Sequence, residues 1–142
     1  MSGLGRRVLA VDPGEKRIGI AISDPTGTIA NPLMVIQHVS RLVDAAQIAG
    51  LARENAAAEI VVGEALDDDG NETPASRHAA KFVEAIQTQT ELPVSLWDES
   101  DSTNEAIAAK VALGVSRDKR KGHQDALAAT VILQSYLDAN SH

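Results

Sequence analysis

Cysteine is absent from the 142 residues. That excludes disulfides, thiolate catalysis and cysteine-based zinc sites, and it fits a cytoplasmic location. Aromatic residues are almost absent too: one Trp, one Tyr and one Phe. A platform of aromatics for stacking nucleic-acid bases is therefore not expected. No apolar run approaches the roughly 20 residues that span a bilayer, so no membrane partner is expected. The opening segment MSGLGRRVLAVD carries two arginines but runs straight into a charged turn, unlike a signal peptide. No histidine pair has zinc-site spacing, and no Walker glycine loop occurs.

What is present is an ordinary apolar fraction of 44%, mostly Ala, Val, Leu and Ile. That suffices for one core, and the length predicts a single domain over 1–142. The formal charge of −7 taken alone argues against a nucleic-acid partner, but the charge is segregated. Arg6, Arg7, Lys16, Arg17, Arg117, Lys119, Arg120 and Lys121 are 8 of the 13 basic residues and fall in two short stretches. The span Glu59 to Glu72 holds six acids and no base. Segregation of this kind matters more than the sum when a surface meets a polyanion.

VLAVDPGEKRIGIAISD reads as two strands joined by a Pro-Gly turn. Val8, Ala10 and Asp12 share one face, Leu9 and Val11 the other. Both faces are apolar, so this strand is expected at the centre of a sheet covered on both sides. Ile18, Ile20 and Ile22 line the second strand, and PLMVIQ reads as a third. A helix is expected over 40–55, a strand over 59–63, and then an acidic loop. Thr73 and Pro74 read as N-cap and first helical position, with Ala79, Phe82, Val83 and Ile86 as the stripe and Leu92-Pro93 as the stop. VSLWDE (94–99) reads as the last strand. STNE (102–105) has the form of a capping box for a helix to about Leu113. A basic loop over 114–123 then leads to a final helix from near Gln124 to Ala139. The order β-β-β-α-β-α-β-α-α predicts an α/β fold: a mixed five-stranded sheet, three antiparallel strands followed by parallel crossovers, with helices on both faces.

Acids fall where these elements end. Asp12 closes the first strand, Asp98 and Glu99 the last, and Asp125 opens the final helix. Asp125 lies on the side of Ala128, Ala129, Ile132 and Tyr136, toward the sheet. Glu64 follows the fourth strand. Each has two readings. Asp12 can accept turn N–H bonds, Asp125 can complement a helix N-terminus, and Glu99 and Glu64 can be solvated loop residues. Alternatively they converge at one sheet edge, where they repel one another unless cations neutralise them. Mg²⁺ suits oxygen ligands and substrate phosphates, and a two-ion arrangement hydrolyses phosphodiesters. The loop SRDKRKGHQ is either a solvated charge run or a clamp delivering a phosphate backbone to Asp125, with Lys16 and Arg17 serving the same groove.

DPGEKRIGIAISD, IVVGEALDDDGNET, LWDESDST and SRDKRKGHQDALAATVILQSYL resemble the signature blocks of the YqgF (RuvX) family, in order and spacing, from about Val8 to Leu137. The resemblance implies an RNase H-like fold and a bacterial protein described as a Holliday junction resolvase and as a pre-16S rRNA nuclease. It implies Mg²⁺ or Mn²⁺ as cofactor and Asp12, Glu99 and Asp125 as catalytic and metal-binding acids. Glu64 falls where related resolvases carry a further metal-binding acid. The sequence departs from the family at Gly63-Glu64-Ala65, where Gly-Leu-Pro is usual. It departs again at Ser100 and Asp101, where Arg and an apolar residue are usual, and at Gln124. Losing that arginine removes a candidate phosphate contact, and Asp101 adds repulsion.

Three function classes follow. The first is a metal-dependent nuclease on structured RNA, with ribosomal precursor particles as the setting and branched DNA as the nearest variant substrate. The second is a non-catalytic nucleic-acid-binding module. The third is a sugar-kinase or actin-like ATPase lobe, which opens with a similar Asp-x-Gly hairpin but needs two lobes, more than this length allows.

Overall fold

The computed structural model describes residues 6–98 and 126–140. Along them run β1 (Arg7–Pro13), β2 (Arg17–Ser23), β3 (Ala30–Gln37), α1 (Arg41–Glu54), β4 (Ala57–Glu64), α2 (Pro74–Gln87), β5 (Val94–Asp98) and α3 (Ala126–Asn140). The expected helix over 102–113 and the basic loop lie outside the described residues. The strands form one sheet in the order β3-β2-β1-β4-β5. β1–β2 and β2–β3 are antiparallel, β1–β4 and β4–β5 parallel. This is the mixed five-stranded sheet the sequence predicts, with β1 at its centre.

The alternation along β1 sorts the two faces. Leu9 and Val11 join Ile18, Ile20, Ile60 and Val62 under α1 and α2, which contribute Ala45, Ile48, Phe82 and Ile86. Val8 and Ala10 join Ala21 and Val61 under α3, with Ala129, Ile132 and Leu133. Both faces are thus dry, which is why β1 reads as apolar on both sides. Pro32 lies in β3, at the sheet's edge, where a missing N–H breaks no inner ladder.

Several boundaries differ from expectation for local reasons. β4 begins at Ala57 because the chain turns sharply just before it: Ala56 has φ +55, the left-handed conformation that ends a helix. An alanine there carries no sequence signal, unlike glycine. α2 stops at Gln87, well before Leu92-Pro93, with Thr88 as cap donating its hydroxyl to the Ala85 carbonyl. Its start is as expected. Thr73 Oγ1 accepts from the Ser76 N–H at 3.0 Å while the Thr73 N–H donates to Ser76 Oγ at 2.8 Å. In α3, Ala129 and Ile132 are buried as expected, but Ala128 is exposed. The buried side is instead completed by Ala126, Thr130, Leu133, Gln134 and Leu137. No described helix is long and apolar enough to cross a membrane.

Candidate active site

Parallel strands point their C-terminal ends the same way. β1, β4 and β5 are parallel neighbours, so Asp12, Glu64 and Asp98 all arrive at one edge of the sheet. The β1–β2 turn projects Lys16 and Arg17, both exposed, from that edge. The turn is tight. A Cβ on Gly14 would sit 2.2 Å from the Arg17 carbonyl oxygen, and the Gly14 N–H donates back to the Asp12 carbonyl at 3.0 Å. Only glycine fits.

Asp12 is half-buried and continues the Val8–Ala10 face, the side covered by α3. Its cross-strand partner on β2 is Gly19, and the residue after Val62 on β4 is Gly63. Both strand neighbours therefore lack a side chain at its level. The Asp12 carboxylate has no side chain from either neighbouring strand beside it.

α3 runs toward this edge with its N-terminus. Its C-terminal half covers the opposite rows of the sheet: Gln134 Oε1 accepts from the Ala30 N–H at 2.9 Å, and the Tyr136 hydroxyl donates to Glu59 at 2.6 Å. Burial and that bond to Glu59 push the Tyr136 hydroxyl up to about 12. Residues 138–140 are exposed beyond those rows, so the helix opens at the carboxylate end, at Ala126.

Glu64 is the last residue of β4, within the strand rather than after it, and lies in register with Asp98. Strand alternation gives both the α1/α2 face, opposite Asp12. Burial first, then the charges of Asp98 and Glu72, raise the Glu64 pKa above its ordinary value. A cation near this edge would relieve that cost. Glu99 and Asp125, and with them Arg117, Lys119, Arg120 and Lys121, lie outside the described residues. Among the described residues no group of three or more His, Asp or Glu side chains is placed to hold a metal. The described acids at this edge offer oxygen donors only, the set that Mg²⁺ and Mn²⁺ prefer. A groove of about 630 Å³ lined by Arg53, Gln89, Glu91 and Pro93 opens at the other end of the sheet, where β4 and β5 begin. It brings one cation and one carboxylate and no cluster of acids.

Sequence reasoning passed over one acid at the carboxylate end. Asp44, in the first turn of α1, is fully buried beside His38. Its position one turn before buried Ile48 is the signal that could have found it.

A family model described as "RuvX: Holliday junction resolvase" matches residues 6–139. A protein of Anaeromyxobacter sp. (strain Fw109-5) named "Putative pre-16S rRNA nuclease" is 42% identical over 132 residues, 93% of this chain and 96% of the relative. One of the same name from Halothermothrix orenii is 39% identical over 132 residues, 93% and 94%. Among solved structures, Thermus thermophilus RuvC in complex with a Holliday junction substrate superposes with a TM-score of 0.66 at 14% identity, covering 94% of each chain. The fowlpox virus Holliday junction resolvase superposes at 0.59 with 16% identity, covering 94% and 99%. These two likenesses show the fold. The family match and the identity across nearly the whole length show the lineage: the chain belongs to the RuvX family.

Proposed function

We propose that this chain is a single RNase H-like domain over 1–142 that acts as a divalent-metal-dependent nuclease on structured RNA, maturing the 5′ end of pre-16S rRNA in the cytoplasm. The observation that carries the reading is Asp12. It is a half-buried carboxylate at the end of the central strand, flanked by two glycines, at the edge where α3 begins. The relatives' name supports the substrate class.

Asp12, Glu99 and Asp125 are the proposed catalytic acids. In sequence, Glu99 follows β5 directly and Asp125 precedes α3 directly. The three would hold Mg²⁺ or Mn²⁺. Such a cation, when bound, makes a water nucleophilic at neutral pH and stabilises the leaving oxygen of a phosphodiester. Glu64 takes an auxiliary role in ion binding over the end of β4, since its strand position favours the other face. Lys16 and Arg17, with Arg117, Lys119, Arg120 and Lys121, hold the backbone phosphates and position the scissile bond without reading sequence. Ribosomal precursor particles are the expected setting.

The test is Asp12→Asn. Cleavage of precursor rRNA in Mn²⁺ should fall about 100-fold or more, the several kcal/mol that a positioned cation supplies, with the fold intact by circular dichroism. Equal cleavage by the variant overturns the site. A four-way DNA junction assayed beside the RNA decides between rRNA and branched DNA, which the solved RuvC complex favours. Loss of cleavage from wild type on both substrates, with binding retained, would leave the non-catalytic module. The Ser100-Asp101 departure is what favours that second reading.

A further inference from the structure

A second cluster of titratable groups stands at the carboxylate end of the sheet, on the α1/α2 side, two strands away from Asp12. β3 ends at Gln37, opposite Arg17, so His38 emerges beside the basic turn. Its backbone N–H donates to the Lys16 carbonyl at 2.9 Å and ties the two loops together. Its ring is held from behind. Asp44 Oδ2 lies 2.5 Å from His38 Nδ1, and Asp44 Oδ1 accepts from the Val39 N–H at 3.0 Å. The Asp44 side chain is 0% exposed and the His38 side chain 39% exposed. A fully buried carboxylate against Nδ1 leaves the exposure to the far edge of the ring, which carries Nε2.

This arrangement sets the tautomer. Asp44 holds the Nδ1 proton, so neutral His38 offers only a lone pair at Nε2. Protonation turns that same atom into a charged donor. The groups around it are Asp44 and exposed Arg41 on α1, exposed Glu15 and Lys16 on the β1–β2 turn, and His78 on α2. His78 does not compete for the charge. Burial, then the charges of Arg41 and His38, lower its pKa, and its Nε2 is buried with no hydrogen-bond partner among the described residues. Lys16, Arg41 and a protonated His38 therefore set three cations against Glu15 and the buried Asp44 at this corner, on a chain of net charge −7.

We propose that His38 contacts a backbone phosphate of the bound nucleic acid beside the Lys16–Arg17 turn, with Asp44 as its positioning residue, and that the contact forms only when Nε2 is protonated. The proposal rests on the nuclease reading and deepens it. β3 is two strand spacings from β1, about 10 Å, and His38 stands on the α1/α2 side while Asp12 faces α3, so this phosphate is a different one from the one attacked.

The experiment measures binding of a labelled RNA hairpin and of a four-way DNA junction by anisotropy, with Ca²⁺ replacing Mg²⁺ and cleavage checked on gels. For wild type, the slope of log affinity against log salt should be steeper at about pH 6 than at about pH 8.5. His38→Gln should bind roughly three- to tenfold more weakly at the lower pH, lose roughly 0.7–0.9 of that slope, and match wild type at the higher pH. His38→Lys, permanently charged, should keep wild-type affinity at the lower pH and exceed wild type at the higher one. A merely structural role for His38 would move none of these pH-dependent differences. Wild-type pH dependence persisting in His38→Gln overturns the phosphate contact and leaves the nuclease reading standing. Wild type binding neither nucleic acid overturns both.

Discussion

Gln134 tests how the position of α3 sets the site. Its side chain is buried on the sheet-facing side of α3, which also carries Thr130, and makes three hydrogen bonds. Oε1 accepts from the Ala30 N–H at 2.9 Å; Nε2 donates to the Thr28 carbonyl and to Asp138 Oδ1, each at 3.0 Å. Gln134→Met keeps the length and the volume and removes all three. Thr28 and Asp138 are exposed, so their oxygens return to water at little cost. Ala30 is buried, and its N–H is left without that acceptor. Stranding one buried donor costs about 1–3 kcal/mol, which is the expected loss in urea unfolding. The larger consequence lies at the far end of the helix. Eight residues separate Gln134 from Ala126, about 12 Å along the axis, so an axial slip at the pin moves the start of α3 by the same amount. A displacement near 1 Å can cost up to about 100-fold in rate. Single-turnover cleavage at saturating enzyme, under conditions where both proteins are folded, should therefore fall about tenfold or more per folded molecule. Unchanged unfolding free energy would refute the hydrogen-bond accounting. Reduced stability with unchanged cleavage would refute the claim that docking of α3 on β3 positions the site.

Two predictions concern pH. The Glu64 pKa is raised, so the folded state favours its protonated form; stability is fully present below the unfolded value and is lost as pH rises through the folded one. In EDTA, Glu64→Gln should therefore melt higher than wild type at alkaline pH and alike in acid. Mn²⁺ should narrow the gap, and a variant that melts lower at alkaline pH contradicts this. Asp24 goes the other way. Burial raises its pKa, but N–H bonds from Ile29 and Thr28 and the Thr26 hydroxyl outweigh burial and bring it to about 2 from 3.8. Its stabilising effect is present above the unfolded value and is lost as pH falls through about 2. Asp24→Ala should flatten the acid limb of a melting-temperature profile between those values, and an equally steep limb would rule out this origin.

Much of the architecture was legible because burial leaves a periodic trace. β1 is apolar on both faces since helices cover both, and α2 announces itself by Thr73, Pro74 and the stripe ending at Ile86. The end of α1 was legible to within a residue, but the start of β4 was not, because the left-handed turn just before it falls on alanine, which has no preference for it. Asp12 was legible as an acid at the end of a core strand. Its two glycine neighbours were not, because Gly19 and Gly63 flank it only when β2 and β4 pair with β1.

Residue type and order alone determined the mixed sheet, the absence of thiol chemistry, and a set of acids at element ends. Which of those acids share a face was decided by tertiary pairing. Strand parity is local, but register between strands is set by the packed sheet, and it put Glu64 beside Asp98 rather than beside Asp12. The His38–Asp44 pair is likewise a tertiary product. Six residues apart across a strand-to-helix junction, the two meet only because α1 folds back on the sheet and closes water away from the carboxylate.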